Sequence, residues 1–164
     1  MADLLKNTAS SNDDDMKGRF LTFLIDEEMF GIELSSVMEI VGIQPVTRMP
    51  EMLDYIKGII NLRGRIIPVM DVRLRFKKSE KDYNDRTCII VIDYGGISIG
   101  LIVDSVSEVL TIPDEDIAKK PEISSKGSRG YVNRIGKISE KVVLLIDCEK
   151  LLNEEELNIV SANL

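Results

Sequence analysis

Ile59-Ile60-Asn61-Leu62-Arg63-Gly64-Arg65-Ile66-Ile67-Pro68-Val69-Met70-Asp71 is the stretch on which the fold turns. Two β-branched runs flank a short polar break, and Gly64 supplies the positive φ that a tight turn requires, so the segment reads as a β-hairpin. Pro68 lacks a ladder donor, which places its strand at an edge or beside a bulge. Working outward, Pro68-Val69-Met70-Asp71-Val72 has an echo in Leu144-Leu145-Ile146-Asp147-Cys148, at an offset of 76. Lys57-Gly58 and Asn61 are answered by Arg129-Gly130 and Asn133, at 72. Phe30-Gly31-Ile32 and Ser36-Val37-Met38-Glu39-Ile40 are answered by Ile99-Gly100-Leu101 and Ser105-Val106-Ser107-Glu108-Val109, at 69. Ile25-Asp26 is answered by Ile92-Asp93, at 67. Matched blocks in the same order, with a slowly growing spacing, are what loop insertions into a duplicated unit produce.

The halves run from Phe20 to Phe76 and from Thr87 to Leu152. A module of about 60 residues buries only about 60% of its extended-chain surface and is marginal alone. The halves are therefore expected to share an interface and fold as a unit. With 44% hydrophobic residues there is apolar material for that core.

A net charge of −7 sets the surface against phosphate backbones, and 5% aromatic residues with no Trp leave few stacking platforms, so nucleic acid is excluded as a partner. No run approaches the ~18 apolar residues of a membrane span. The segment from Met1 to Gly18 lacks the apolar core of a secretion signal and reads as a disordered acidic tail, so a cytoplasmic location without membrane insertion is expected. Cys88 and Cys148 are expected as free thiols.

From Phe20 the chain is a series of short β-branched runs separated by turn residues. This predicts an all-β fold with short helices: a first barrel over about 19–76, a charged linker over 77–86, a second barrel over about 87–148 and a closing helix over about 149–157. Pro50 to Tyr55 reads as a helical turn; the run from Ser36 to Ile40 is compatible with helix or strand.

There is no histidine, which removes the commonest general base and metal ligand together. No phosphate loop, dinucleotide fingerprint or nucleophile elbow is present. Asp26, Asp71, Asp93, Asp104 and Asp147 stand at strand ends, where carboxylates cap turns. The chain reads as a binding protein with no cofactor and no metal, rather than as an enzyme.

Gly58 to Arg73, ending at Phe76, closely resembles the signature of the CheW family, the coupling proteins of bacterial chemotaxis. Phe30-Gly31-Ile32 with Val37-Met38-Glu39-Ile40 is similar to the family's early block. Asp82 to Asp85, Gly100-Leu101-Ile102-Val103-Asp104 with Val106 and Val109, and Glu149 to Leu152 extend the resemblance over about residues 19–153. It implies two five-stranded SH3-like barrels packed around a shared hydrophobic core. It also implies two partners: the helical cytoplasmic tip of a chemoreceptor in the groove between barrels, and the regulatory domain of the histidine kinase CheA at the apolar end of one barrel. The protein would be a monomer that joins larger arrays, recruited to the inner face of the membrane through receptors.

Arg63 is the leading receptor-binding candidate, because the stiff hairpin holds its guanidinium out where it can bond acidic or amide groups. Val37, Glu39 and Ile40, with Val106 and Val109 in the second copy, are the next, as opposing walls of one groove or as plain core. The kinase-binding residues are not legible. Two other readings stand beside the adaptor: a paralogous scaffold for another CheA-like pathway, and a small-molecule sensor using the inter-barrel groove as a pocket.

Overall fold

Two hairpins that are apolar on both faces organise the molecule: β1–β2 (Arg19–Ile25, Glu28–Glu33) and β6–β7 (Cys88–Tyr94, Ile97–Val103). The computed structural model describes residues 16–119 and 130–162, so most of the expected N-terminal tail lies outside the described residues. The remaining strands are β3 (Val37–Gly42), β4 (Ile56–Leu62), β5 (Arg65–Asp71), β8 (Ser105–Thr111), β9 (Ile117–Lys119), β10 (Val132–Ile138) and β11 (Lys141–Ile146). A one-turn helix α1 (Val72–Arg75) follows β5, and α2 (Glu154–Ala162) ends the described chain. No described helix is long and apolar enough to cross a membrane.

The strands form two sheets, in the orders β8-β1-β2-β11-β10-β9 and β3-β6-β7-β5-β4. Each encloses its own small core: Phe20, Ile112, Val143 and Leu145 in the first barrel; Ile60, Leu62, Ile67, Val69, Ile89, Val91 and Ile102 in the second. A third and larger cluster lies between them. Leu21, Phe23 and Ile25 of β1 and Ile90 and Ile92 of β6 supply it from opposite sides. Alternate residues of β6 thus face different cores, which is why Cys88 to Ile92 reads as an unbroken apolar run.

The partition into barrels differs from the expected 19–76 and 87–148. Each barrel takes its central hairpin from one half of the chain and its outer strands from the other. The exchange is reciprocal: β11 runs parallel to β2, and β5 runs parallel to β7. The cause lies in the links. After β2, a 3-10 turn at Leu34–Ser36 buries Leu34 in the shared cluster, so the chain passes through the common core into the other barrel instead of turning back. Asp104, alone between β7 and β8, makes the return crossing.

Strand pairing bears out the duplication and corrects its register. Phe23 pairs with Phe30 as Ile92 pairs with Ile99, and Gly31 pairs with Leu145 as Gly100 pairs with Val69. The offset is thus a constant 69 through β1–β3 against β6–β8. Ile56 pairs with Met70 as Val132 pairs with Ile146, an offset of 76 for β4–β5 against β10–β11. One step separates two constant registers. The apparent matches at 67 and 72 rested on recurring letters; the structure aligns the two-residue turn Asp26-Glu27 with Gly95-Gly96.

Smaller differences have local reasons. β5 is an interior strand, yet its pairing with its second neighbour β7 begins only at Val69, so Pro68 withholds no donor from that ladder. Residues 50–55 form turns without a helix, and Thr47 makes a single bridge to Ile59. Val37 to Ile40 is strand. The closing helix starts later than expected because Asn153 and Glu156 cap each other's backbone N–H groups (2.7 and 3.1 Å), after a separate 3-10 turn at Cys148–Lys150.

Candidate functional site

The β4–β5 turn places both central residues in the left-handed region, Arg63 at φ 53° and Gly64 at φ 87°. Asn61 Oδ1 accepts from the Gly64 N–H at 2.8 Å and fixes the loop. Arg63 is thus held on a stiff support, with its side chain 68% exposed. Its Nη2 donates to Glu39 Oε1 at 2.5 Å. β3 and β4 are the two outermost strands of the second barrel, so this pair spans the barrel's seam. The other barrel repeats the device: Lys141 Nζ donates to Glu108 Oε1 at 3.2 Å, and Glu108 is the register-mate of Glu39.

A bulge between Val37 and Glu39 sets what β3 shows. Val37 and Ile40 turn toward the inter-barrel cluster, Ile40 buried and Val37 half-buried, while Met38 stands 45% exposed on the rim. β8 carries the same bulge opposite Thr22, whose hydroxyl donates to the Glu108 carbonyl (2.7 Å) and accepts from the Glu108 N–H (3.1 Å). Val106 and Val109 are half-buried against the shared cluster from that side. The structure therefore brings Arg63 and Glu39 into direct contact. It brings Val37, Ile40, Val106 and Val109 onto one apolar cluster from two barrels.

One group of charged residues escaped the sequence reading. Arg73 of α1 donates from Nη1 to Asp26 Oδ1 (2.6 Å) and Asp104 Oδ2 (2.9 Å), and from Nε to the Ser79 carbonyl (3.0 Å). Asp104 Oδ2 also accepts from the Asp26 N–H at 2.7 Å. With its side chain 10% exposed, Arg73 ties the β1–β2 turn of the first barrel and the β7–β8 crossing to the second barrel. The hydrogen bond from Arg73 holds the Asp26 carboxyl below the usual carboxylate range. The partners are far apart in sequence, and nothing local to Asp26 or Asp104 distinguishes them from turn caps. Asp71, Asp93 and Asp147 do cap turns, accepting from the Arg73, Gly96 and Glu149 N–H groups respectively.

The charged linker is anchored where Tyr83 donates to Asp71 Oδ2 at 2.9 Å; burial, and then the Asp71 carboxylate, push its phenol well above the ordinary range. On the first barrel, Leu24, Met29 and Leu144 surround an open hollow of about 410 Å³, with Val142 52% exposed at its side. Ile66, the register-mate of Val142, is 51% exposed on the second barrel. Both barrels thus present a large apolar side chain at equivalent places.

Comparison with known proteins agrees with this architecture. A family model described as the CheW-like domain matches residues 19–156. The chemotaxis protein CheW of Klebsiella aerogenes is 38% identical over 141 residues, covering 86% of this chain and 85% of that protein. The chemotaxis protein CheW of Bacillus subtilis is 33% identical, covering 84% and 88%. The crystal structure of the scaffolding protein TtCheW from Thermoanaerobacter tengcongensis superposes with a TM-score of 0.78 at 32% identity, covering 85% of this chain and 94% of that one. With a family model matching residues 19–156 and relatives of this identity aligned over most of both chains, the chain belongs to the CheW-like domain family of non-catalytic chemotaxis scaffolds.

Proposed function

We propose that this adaptor holds the cytoplasmic tip of a chemoreceptor and the regulatory domain of CheA at the same time, each on its own surface. The receptor tip, an antiparallel helical hairpin, lies in the groove between barrels. Val37, Val106 and Val109 offer half-buried apolar contact there, and Glu39 and Arg63 offer charge on the rim. The observation that carries this reading is the exposed Arg63 guanidinium, braced by Glu39 on a left-handed turn beside an apolar strand. An isolated exposed ion pair contributes little to stability, so its placement is better suited to recognition than to folding.

The kinase domain docks at the apolar end of the first barrel, on Leu24, Met29, Val142 and Leu144. Exposed apolar surface of this kind, rimmed by Glu27, Glu28 and Lys141, is what a protein contact requires. Because Ile66 occupies the equivalent place on the second barrel, like-folded partners can add at both ends. Such heterologous contacts propagate until they close into rings. No bond is made or broken in the adaptor. Receptor motion shifts the kinase between states only through contacts that differ between them, and the locked barrels transmit those differences.

The test is to titrate isotope-labelled protein separately with a receptor-tip fragment and with the regulatory domain of CheA. Two separate footprints are expected, one over Val37–Ile40, Arg63, Val106 and Val109, the other over Leu24, Met29, Val142 and Leu144. A single shared footprint, or no binding to either partner, overturns the assignment.

A further inference from the structure

Each barrel joins an equivalent glutamate to an equivalent hairpin by an ion pair, but the two draw the cation from different places. The pairs Leu62–Arg65 and Ile138–Lys141 close matching two-residue turns, so Arg63 corresponds to Ser139 and Arg65 to Lys141. Ser139 shares the left-handed backbone of Arg63, at φ 54° against 53°. In the first barrel Lys141 holds Glu108, and Ser139 carries no charge. In the second barrel Arg63 holds Glu39 instead. Arg65, standing where Lys141 stands, is released from that task. The second barrel thus carries one cation more than this contact uses.

The surplus guanidinium is held in place without being neutralised. Arg65 is exposed and forms no ion pair among the described residues. Its Nη2 donates to the Ser98 hydroxyl at 2.7 Å, and that hydroxyl donates in turn to Met38 Sδ at 3.4 Å. Met38 and Glu39 are neighbours in β3, so the two arginines of the hairpin reach adjacent residues of one strand. Arg63 does so directly and Arg65 through Ser98. The relay therefore ties Arg65 to the same rim as the Arg63–Glu39 pair, beside Met38, which is 45% exposed. A guanidinium offers five N–H donors in a planar fork, and a single bond to a neutral oxygen leaves most of them to an outside acceptor.

We propose that Arg65 is a further specificity-determining residue of the receptor contact, taking a carboxylate on the receptor-tip helix while Met38 packs against that helix beside it. The inference rests on the receptor reading given above. A carboxylate matches the open fork bidentately, and such charge-assisted pairs select their partner by geometry as well as by charge. A polyanion is disfavoured, because the chain as a whole carries a net charge of −7. Arg65 and Met38 adjoin Val37, Glu39 and Arg63, so the contact extends a surface already assigned to the receptor and asks for no second partner.

Calorimetric titration of the intact protein with the receptor-tip fragment reads the effect. Arg65→Gln should weaken binding roughly tenfold and leave the melting temperature unchanged. Arg65→Lys keeps the charge but loses the fork, and its affinity should fall between the two. The acidic residues of the fragment are then changed one at a time to their amides. One of these changes should weaken binding to the unaltered protein and cost nothing further in Arg65→Gln. Undiminished binding by Arg65→Gln, or costs that simply add for every acidic residue, overturns the inference and leaves the receptor reading standing. A fragment that does not bind the unaltered protein overturns that reading, and this inference with it.

Discussion

Arg63 adopts a backbone conformation that side-chain-bearing residues seldom take, and its guanidinium is thereby aimed at Glu39. Reversing the charge tests recognition apart from folding. Arg63→Glu should weaken receptor-tip binding by about 1–3 kcal/mol in calorimetric titration. It should leave the melting temperature nearly unchanged, since exposed pairs contribute little to stability. Swapping both charges, Glu39→Arg with Arg63→Glu, restores the internal pair but should not restore binding. Asp26 carries a second prediction. Its folded pKa is depressed, chiefly by the hydrogen bond from Arg73, with burial opposing. Its contribution to stability is therefore complete above the ordinary value of about 3.9 and is lost as the pH falls through the folded value. In Arg73→Gln, the Asp26 carboxyl followed by NMR should titrate back near the ordinary value, and an unmoved midpoint would refute the tie between Arg73 and the β1–β2 turn.

Among the elements, three glycines rank themselves by what an added methyl would meet. At Gly58, φ is 151° and a Cβ would lie 2.1 Å from the Thr47 carbonyl oxygen, a backbone atom that cannot move aside cheaply. At Gly100 it would meet side-chain methyls of Ile89 and Val69 at 2.7 and 2.8 Å; at Gly31 its nearest neighbours, on Leu145 and Val143, are at 3.0 and 3.1 Å. Overpacking in a tight core costs about 1–3 kcal/mol. Alanine substitutions should therefore destabilise in the order Gly58, Gly100, Gly31 by urea denaturation, with Gly58→Ala the most severe. The same elements show what the sequence could reveal. Strands were legible because β-branched runs broken by turn residues report local preference. Which strand lies beside which was not, because pairing is decided by long-range burial: the runs at Phe20–Ile25 and Cys88–Ile92 need cover on both faces, and only the assembled molecule says from where. The repeat itself was readable, but a recurring Ile-Asp pair and a recurring Gly and Asn spacing each pulled one block out of register. Arg63 and Glu39 could be nominated singly, whereas their contact across the barrel required the bulge in β3 and the curl of the sheet. The Asn153–Glu156 capping pair was a local signal for α2 that went unread.

At the scale of the whole molecule, reciprocal exchange of hairpins makes the two barrels inseparable. A chain ending at Phe76 lacks β6 and β7, the two strands at the centre of the second barrel, and also β8 and β11, which flank β1–β2 in the first. Each half expressed alone should give the narrow amide dispersion of an unfolded chain. Mixing a fragment ending at Arg86 with one starting at Thr87 should restore the native spectrum, stoichiometrically and with a midpoint that rises with concentration. A well-dispersed spectrum from either half alone would contradict the exchanged topology.

That topology also constrains ancestry. A progenitor of half this length, bearing one hairpin and three outer strands, had no way to complete a barrel by itself. Such a chain would close its barrels only as a homodimer whose subunits trade hairpins across a twofold axis, so its folding would depend on concentration. Joining two copies end to end removes that dependence and leaves the twin surfaces free to differ, as they do at Arg73 and Glu149.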